Sequence, residues 1–194
     1  MSDNQPLRIA VILGSTRRGR FGDRVANWFM EEVQRHEGVA ADLVDLAETE
    51  LPEELRDFGE DLPPAAKVLA PRLAGADAFV VVTPEYNHSF PAPLKTAIDW
   101  FGLEWQAKPV GFVSYGGMAG GLRAVEHLRQ VFAEVHAVGL RDTVSFHGAW
   151  EQFDSDGAPV NAEACGAAAK TLLDQLVWWG LSLREAREKR PYNS

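Results

Sequence analysis

The chain has 194 residues, 46% of them hydrophobic, which is enough to bury one sizeable core and leaves little for a second. We therefore predict a single domain over residues 1–194. Its 19 Lys and Arg residues against 28 Asp and Glu residues give a net charge of −9, which argues against a general nucleic-acid or anionic-membrane surface. The single cysteine, Cys165, excludes an internal disulfide framework and a Cys-x-x-Cys redox pair, which favours the reducing cytoplasm as the compartment.

Short apolar runs alternate with longer amphipathic runs along the chain, which predicts repeated strand–helix units around a parallel sheet. In chain order, strands are predicted at residues 7–13, 39–46, 77–83, 109–115 and 143–146, and helices at residues 22–36, 64–74, 91–101, 121–138 and 160–188. Residues 9–13 and 78–82 are apolar at every position, which is typical of central strands covered by helices on both faces.

The remaining segments predict ordinary surface structure. Residues 48–63 are rich in acids and prolines and predict an acidic surface loop. The charged run at residues 184–190 predicts a solvated helix end. The first six residues lack the pattern of a signal peptide, and no apolar run is long enough to span a bilayer. We therefore expect a soluble protein with neither a membrane nor nucleic acid as its partner.

Residues 14–22, here called loop 1, follow the first predicted strand and lead into the first predicted helix. The loop offers hydroxyls at Ser15 and Thr16 and cations at Arg17, Arg18 and Arg20. Free N–H groups at a helix N-terminus attract an anion, and hydroxyl and guanidinium groups complete the shell of a phosphate. The spacing matches neither a Walker loop nor a dinucleotide fingerprint, which favours a terminal monophosphate as the ligand. The alternative is a plain strand-to-helix turn with surface arginines.

Residues 83–91, loop 2, follow the third predicted strand and carry few charges. Prolines fix the backbone trace, so that Glu85, Tyr86 and Asn87 can present main-chain N–H groups in a set geometry. Such an edge suits a flat heterocycle with carbonyl and imino groups, and Tyr86 and Phe90 could pack beside its ring. The alternative for Tyr86 is a half-exposed loop aromatic without a ligand.

Residues 114–121, loop 3, follow the fourth predicted strand and hold four glycines in six consecutive positions. Glycines permit close approach of the backbone, so we expect the loop to form the far wall of the ring site. A flexible connection is the alternative. Ligands of open parallel sheets bind beyond the carboxyl ends of the strands, where all three loops lie. Together the loops predict a site for a mononucleotide such as FMN.

We assign no catalytic side chain and no metal ligand from the sequence. Lys95 and Asp99 are spaced i,i+4 on a predicted helix and are expected to pair with each other. The five histidines show no metal-ligand spacing, and His88 alone lies in a proposed site loop. The chemistry is therefore expected to come from the cofactor.

Three motifs carry a resemblance to a known family. They are Gly14-Ser15-Thr16-Arg17 with Gly22, Pro84-Glu85-Tyr86-Asn87 continuing to Trp100, and Ser114-Tyr115-Gly116-Gly117 with Gly120-Gly121. In these motifs the chain resembles the NAD(P)H-dependent FMN reductases of flavodoxin-like fold, which include quinone, azo-dye and chromate reductases. The resemblance implies an α/β three-layer sandwich, with a five-stranded parallel sheet of order 2-1-3-4-5 and helices on both faces. The chain departs from the family at Ala92, where members often have glycine, and at Gly19 and Phe21, where they often have serine or threonine.

The same resemblance implies which residues hold FMN. The phosphate would contact Ser15, Arg17, Arg20, Phe21 and Gly22, with Thr16 in the same loop. The isoalloxazine ring would be lined by Pro84, Glu85, Tyr86 and Asn87 together with Ser114, Tyr115, Gly116 and Gly117.

The resemblance also implies a reaction and an assembly. NADPH or NADH would pass hydride to bound FMN, and a small acceptor, namely a flavin, quinone, azo compound or metal oxyanion, would then take it in a ping-pong scheme. One alternative is a flavodoxin-type electron carrier, against which the arginines of loop 1 and the glycines of loop 3 argue. A second is a nucleotide-binding or regulatory domain without flavin. A homodimer or homotetramer is implied, with part of the set Trp100, Trp105, Trp150, Trp178 and Trp179 at the subunit contact.

Overall fold

The computed structural model describes residues 5–57 and 60–192. Within these residues the elements are β1 (Leu7–Leu13), α1 (Gly22–Arg35), β2 (Val39–Asp45), α2 (Pro64–Gly75), β3 (Ala78–Pro84), α3 (Ala92–Trp100), β4 (Pro109–Gly116), α4 (Leu122–Glu134), β5 (Val138–His147), a 3-10 helix (Ala149–Glu151) and α5 (Ala162–Lys189). The strands pair in parallel in the order β2-β1-β3-β4-β5, which confirms the prediction. No helix of the described chain is both long and apolar enough to cross a membrane.

Helices cover both faces of the sheet. On one face, α1 and α5 contribute buried side chains such as Val25 and Leu172. On the other face, α2, α3 and α4 contribute Leu69, Leu94 and Phe132. β1 and β3 lie in the middle of the sheet and are buried over nearly their whole length, which confirms the prediction from their unbroken apolar runs.

The boundary between α4 and β5 differs from the prediction. The predicted helix 121–138 is wrong at its C-terminal end, because α4 ends at Glu134 and β5 already begins at Val138. His136 has a φ of 60°, and the N–H of Ala137 donates back to the carbonyl of Phe132 at 2.9 Å, which closes the helix in a Schellman turn. The left-handed position holds histidine instead of the usual glycine, so the sequence carries no clear stop signal there.

The charged end of α5 is not fully solvated, which corrects the prediction for residues 184–190. Arg184 and Arg187 turn inward to the carboxylate of Asp77, at 3.2 and 3.9 Å. The Asp77 side chain is only 4% exposed, and it also accepts a hydrogen bond from the backbone N–H of Arg8 at 3.0 Å. This buried acid ties the last helix to the amino end of the sheet, away from the three loops.

Loops 1, 2 and 3 leave the carboxyl ends of β1, β3 and β4, which are neighbours in the sheet. The ladder extends into the loops, since the Gly14 N–H donates to the Val82 carbonyl at 2.9 Å and the Glu85 N–H donates to the Tyr115 carbonyl at 3.2 Å. The strand order reverses at β1, and this switch point is where open parallel sheets form their ligand crevice.

Candidate functional site

Ser15 is the buried centre of loop 1. Its side chain is fully buried, and its hydroxyl shares a hydrogen bond of 2.7 Å with the hydroxyl of Tyr86 in loop 2. The backbone N–H of Arg17 approaches the same Ser15 oxygen at 3.5 Å. Loops 1 and 2 are therefore joined side chain to side chain, a contact that the sequence pattern does not predict.

Arg20 is held by carboxylates. Its guanidinium binds both carboxylate oxygens of Asp45, donates to Oδ1 of Asp23 at 2.8 Å and donates to the carbonyl of Ser15 at 2.6 Å. The hydrogen bond to Asp45 raises the pKa of Arg20 above its ordinary value, although burial opposes this. Two acids balance the charge of Arg20, which thereby fixes the shape of loop 1 and adds little net positive charge.

The exposed rim of loop 1 is positively charged. Thr16, Arg17 and Arg18 are exposed, and neither arginine pairs with an acid among the residues that the structure describes. Phe21 precedes α1 and Gly22 begins it, and the first N–H groups of the helix have no acceptor within it. Unpaired guanidiniums, a hydroxyl and a helix N-terminus form a donor set suited to a phosphate dianion.

Packing requires glycine at position 22. A Cβ on Gly22 would lie 2.5 Å from the hydroxyl oxygen of Tyr115 and 2.8 Å from a methyl carbon of Leu13. Tyr115 is 5% exposed, and its ring centre lies 6.1 Å from that of Phe21. The Tyr115 ring thus packs beneath the start of α1, so its predicted contact with a flavin ring can involve only its main chain.

Residues 86–89 form a tight turn within loop 2. Tyr86 and Ser89 exchange both backbone hydrogen bonds, at 2.8 and 3.1 Å. Between them Asn87 and His88 have φ values of 48° and 76°, which leaves their N–H groups outside the hydrogen bonds of the turn. This is the kind of rigid main-chain edge that the sequence predicts beside a flat ring.

An ion pair that the sequence analysis did not predict holds loop 2 to α4. The Glu85 carboxylate accepts from Nη1 of Arg123 at 3.0 Å and from the Arg123 backbone N–H at 3.2 Å. The Glu85 side chain is 10% exposed and that of Arg123 is 49% exposed. The pair lies at the first turn of α4, where a carboxylate is favoured by the helix dipole. No sequence pattern links two residues so far apart.

Loop 3 is anchored, which argues against a flexible connection. The hydroxyls of Ser114 and Ser145 both donate to the carbonyl of Gly120, each at 2.8 Å. Gly120 and Gly121 have φ values of 59° and 83°. A Cβ on Gly120 would lie 2.5 Å from Oγ of Ser145, and one on Gly121 would lie 2.7 Å from Cβ of Ser114. These two glycines are therefore required by the fold itself.

The fold does not require glycine at position 117. The nearest atom to a Cβ on Gly117 would be Cη2 of Trp150 at 3.5 Å, an ordinary contact distance. Trp150, just after β5, is 63% exposed, and Met118 is 94% exposed. An open space therefore lies over this part of loop 3. Trp150, which the sequence analysis considered only for a subunit contact, lies at the edge of that space.

Three further features lie outside or beside the three loops. Nζ of Lys95 donates to the carboxylate of Asp99 at 2.6 and 2.8 Å, as predicted. Across residues 5–57 and 60–192, no cluster of three or more His, Cys, Asp or Glu side chains could hold a metal ion. A cavity of about 450 Å³ lies beside Thr16, between the segment after β2 and the start of α3.

Comparison with known proteins identifies the family of this chain. The family described as NADPH-dependent FMN reductase matches residues 7–151. The chain belongs to this family. It is therefore an oxidoreductase that works with FMN and NAD(P)H, and the electron-carrier and flavin-free alternatives are not supported.

Individual relatives agree with the family assignment. The chain is 33% identical over 166 residues to "Probable NADPH:quinone oxidoreductase 2" of Oryza sativa subsp. japonica, covering 81% of each protein. It is 34% identical over 140 residues to the quinone reductase of Escherichia coli K12, covering 70% of this chain and 74% of that one. Among solved structures, FerB, a flavoenzyme NAD(P)H:(acceptor) oxidoreductase from Paracoccus denitrificans, has a TM-score of 0.72 at 24% identity, covering 91% of this chain and 98% of that one. The shared architecture confirms the predicted flavodoxin-like fold.

Proposed function

We propose that the protein transfers hydride from NAD(P)H to FMN held by loops 1, 2 and 3, and then onward to a small quinone-type acceptor in a ping-pong scheme. One observation carries the proposal: a cationic loop at a helix N-terminus, a rigid main-chain edge and an open glycine backbone meet at the switch point of the sheet. A monophosphate attached to a flat ring matches the three features in that order.

Loop 1 fits the phosphate of FMN. We assign the phosphate contacts to the hydroxyls of Ser15 and Thr16, the guanidinium of Arg17 and the N–H groups of Phe21 and Gly22. The support is the donor set itself, since neutral hydroxyls and an unpaired cation complement a dianion at a helix N-terminus. Arg20, which the sequence analysis included among the contacts, supports the loop through Asp45 and Ser15.

Loops 2 and 3 fit the isoalloxazine ring. We assign the ring edge to the main chain of residues 84–87 and the opposite wall to the backbone of residues 114–117. N–H groups directed at the ring would stabilise the negative charge that develops on it during hydride transfer. The Glu85–Arg123 ion pair and the Ser15–Tyr86 hydrogen bond hold loop 2 in place, so that this edge need not reorganise during the reaction.

The chain supplies no side-chain acid or base in this scheme. When bound, FMN would supply the hydride chemistry that links the nicotinamide to the acceptor. Reduction of a quinone to a hydroquinone takes that hydride and one further proton, for which solvent at the exposed side of loop 3 is a sufficient source. Because donor and acceptor would use the same open face over Gly117, one must leave before the other binds, which supports a ping-pong order.

A quinone is the acceptor class that we favour. The relatives from rice and Escherichia coli carry quinone reductase names. Trp150 offers a flat apolar surface at the edge of the space over Gly117, where an aromatic acceptor could stack. Free flavins, azo compounds and metal oxyanions are the other acceptors to test, by how fast each reoxidises the reduced protein in the absence of oxygen.

An anaerobic visible spectrum of the FMN-reconstituted protein tests the function. We expect flavin bands that shift on binding, bleach within seconds of adding NADPH or NADH, and return when a quinone is added without oxygen. The faster donor identifies the preferred nicotinamide. Bands that bleach with dithionite but persist with both nicotinamides would contradict the enzyme, and failure to bind FMN would contradict the site.

We also propose a homodimer or homotetramer in the cytoplasm. Trp100 and Trp105 lie in the core and drop out as contact candidates, whereas Trp178 and Trp179 on α5 are 63% and 38% exposed. Exposed indoles are enriched at protein interfaces. Light scattering that gives a monomer at working concentration would contradict the assembly.

The proposal of a cytoplasmic location is supported by the single cysteine. Burial raises the pKa of the half-buried Cys165 thiol, which suits an unreactive cysteine in a reducing compartment.

A further inference from the structure

The hydroxyl of Tyr115 has no hydrogen-bond partner in the described structure. The residue is 5% exposed, and its Oη is a buried polar side-chain atom left without a donor or acceptor. Native proteins satisfy most buried polar groups, because an unpaired one loses its hydrogen bonds to water without replacement. Phenylalanine would fill almost the same volume without this cost. The unpaired hydroxyl therefore needs an explanation.

The position of this hydroxyl points to an anion. It lies 2.5 Å from where a Cβ of Gly22 would be, and Gly22 is the first residue of α1, a helix of 14 residues. Burial is the main reason that the pKa of Tyr115 is raised, and Tyr86 and Asp23 add to the effect, whereas the approach of the Ser15 hydroxyl, which stops short of hydrogen-bond geometry, and the charge of Arg20 oppose it. Tyr115 therefore keeps its proton at neutral pH and remains a hydrogen-bond donor at the positive end of the α1 dipole.

The other hydroxyls around the site are already paired. Ser15 and Tyr86 bond to each other, and Ser114 donates to the carbonyl of Gly120. Arg20 is balanced by Asp45 and Asp23 in the same loop. Of these buried or half-buried donors, Tyr115 alone is unpaired and also lies at the helix start.

We propose that Tyr115 is a further phosphate-binding residue, whose hydroxyl donates to a phosphate group at the N-terminus of α1 alongside Ser15. This inference rests on the proposed function, in which FMN brings that phosphate. Tyr115 would thus add a neutral donor beneath the cationic rim of Arg17 and Arg18.

The test compares Tyr115→Phe with Tyr192→Phe in the full chain after any bound flavin is removed. Tyr192 is a matched control, since its hydroxyl bonds to Nδ1 of His136 at 2.7 Å and lies outside the three loops. Dissociation constants are measured by flavin fluorescence for FMN and for riboflavin, which lacks the phosphate. Melting temperatures are measured for the same proteins with and without inorganic phosphate.

The expected result is selective. Tyr115→Phe should bind FMN about tenfold more weakly than wild type, which is the loss of one hydrogen bond to a charged group. Riboflavin affinity should not change, and Tyr192→Phe should match wild type for both flavins. Without ligand, Tyr115→Phe should melt at the same temperature as wild type or higher, because the variant removes an unsatisfied hydroxyl.

Where wild type binds FMN, two outcomes would overturn the inference. One is unchanged FMN affinity in Tyr115→Phe. The other is an equal loss of affinity for FMN and riboflavin, which would indicate a role for the Tyr115 ring or for the fold. If wild type binds neither flavin, the proposed function fails, and inorganic phosphate then decides the role of Tyr115. If phosphate raises the melting temperature of wild type but not of Tyr115→Phe, the inference is supported. If phosphate stabilises both proteins, or neither protein, the inference is overturned.

Discussion

Arg17 and Arg20 carry the same charge three residues apart, yet their surroundings give them different roles. Arg17 is exposed and unpaired within the described residues, whereas Arg20 is bound to Asp45 and Asp23 and to the Ser15 carbonyl. An unpaired cation at a helix N-terminus is available to a ligand, whereas a paired one is part of the structure. The bidentate partner of Arg20, Asp45, lies 25 residues away in the sequence, so the motif alone does not reveal the difference.

Exchanging each arginine for alanine should separate the two roles. Arg17→Ala should weaken FMN binding about tenfold or more through loss of a charge-assisted contact, with little change in melting temperature. Arg20→Ala should lower the melting temperature, because Asp45 is left half-buried without its cation. Flavin fluorescence titration and thermal unfolding measure the two effects. Unchanged FMN affinity in Arg17→Ala would remove the phosphate assignment.

Gly117 and Gly121 give a similar contrast within loop 3. Gly121→Ala should destabilise the protein by about 2 kcal/mol or more, because position 121 has a positive φ and a Cβ there meets Ser114. Gly117→Ala should leave the fold intact, because the nearest atom, on Trp150, is 3.5 Å away.

If the backbone of Gly117 lines the flavin ring, the same methyl group should nevertheless weaken FMN binding. The free energy of unfolding in urea and the FMN dissociation constant are measured for both variants. A Gly117→Ala protein that binds FMN as tightly as wild type would argue against placing the ring over this residue.

At the scale of elements, most of the architecture could be predicted from the sequence. Unbroken apolar runs identify β1 and β3 as central strands, because only strands buried on both faces need apolar residues at every position. Once the strands are known to be parallel, the loops after β1, β3 and β4 must meet at one edge. Three loops of distinct composition were therefore enough to locate the candidate site.

The features that the sequence did not predict depend on contacts between distant residues. α4 ends in a left-handed turn at His136, where no glycine marks the stop. Arg187 lies in a charged run that resembles a solvated helix end, but Asp77 draws it inward from another element. The pairing of Glu85 with Arg123 likewise arises only when α4 packs beside loop 2. Local patterns carry no information about such pairs.

At the scale of the whole molecule, the two ends of the sheet have different electrostatics. The carboxyl end presents Arg17 and Arg18, which have no acid partner within residues 5–57 and 60–192, and main-chain N–H groups around an open space. At the amino end, the Asp77 carboxylate forms ion pairs with Arg184 and Arg187 of α5. Lys108 is buried at the same end of the sheet. Nζ of Lys108 donates to the carbonyls of Leu73 and Ala74 at the end of α2, each at 3.0 Å. This end holds α2, α5 and the sheet together.

Lys108 makes the stability of this end depend on pH. Burial is the main reason that the pKa of Lys108 is lowered to about 8 from its ordinary value of 10.5, and the charge of Arg187 adds to the effect. Between these two values the unfolded chain holds the Lys108 proton and the folded chain does not, so this residue makes the free energy of unfolding rise with pH. Below about pH 8 both states hold the proton and the contribution is constant. A neutral amine keeps two N–H groups, so both carbonyls can remain bonded after deprotonation.

Replacing Lys108 with methionine should remove this dependence while keeping the apolar stem. Between pH 7.5 and 9.5, wild type should gain about 2 kcal/mol in free energy of unfolding relative to Lys108→Met, measured by urea denaturation. Lys189→Met is the control, because Lys189 pairs with Glu185 at the surface and should not alter the slope. FMN affinity should be unaffected in both variants, since Lys108 lies at the amino end of β4 and the phosphate loop follows the carboxyl end of β1. Parallel pH profiles for wild type and Lys108→Met would mean that the folded protein keeps this lysine charged, with the carbonyls of α2 and the carboxylate of Asp77 compensating for its burial.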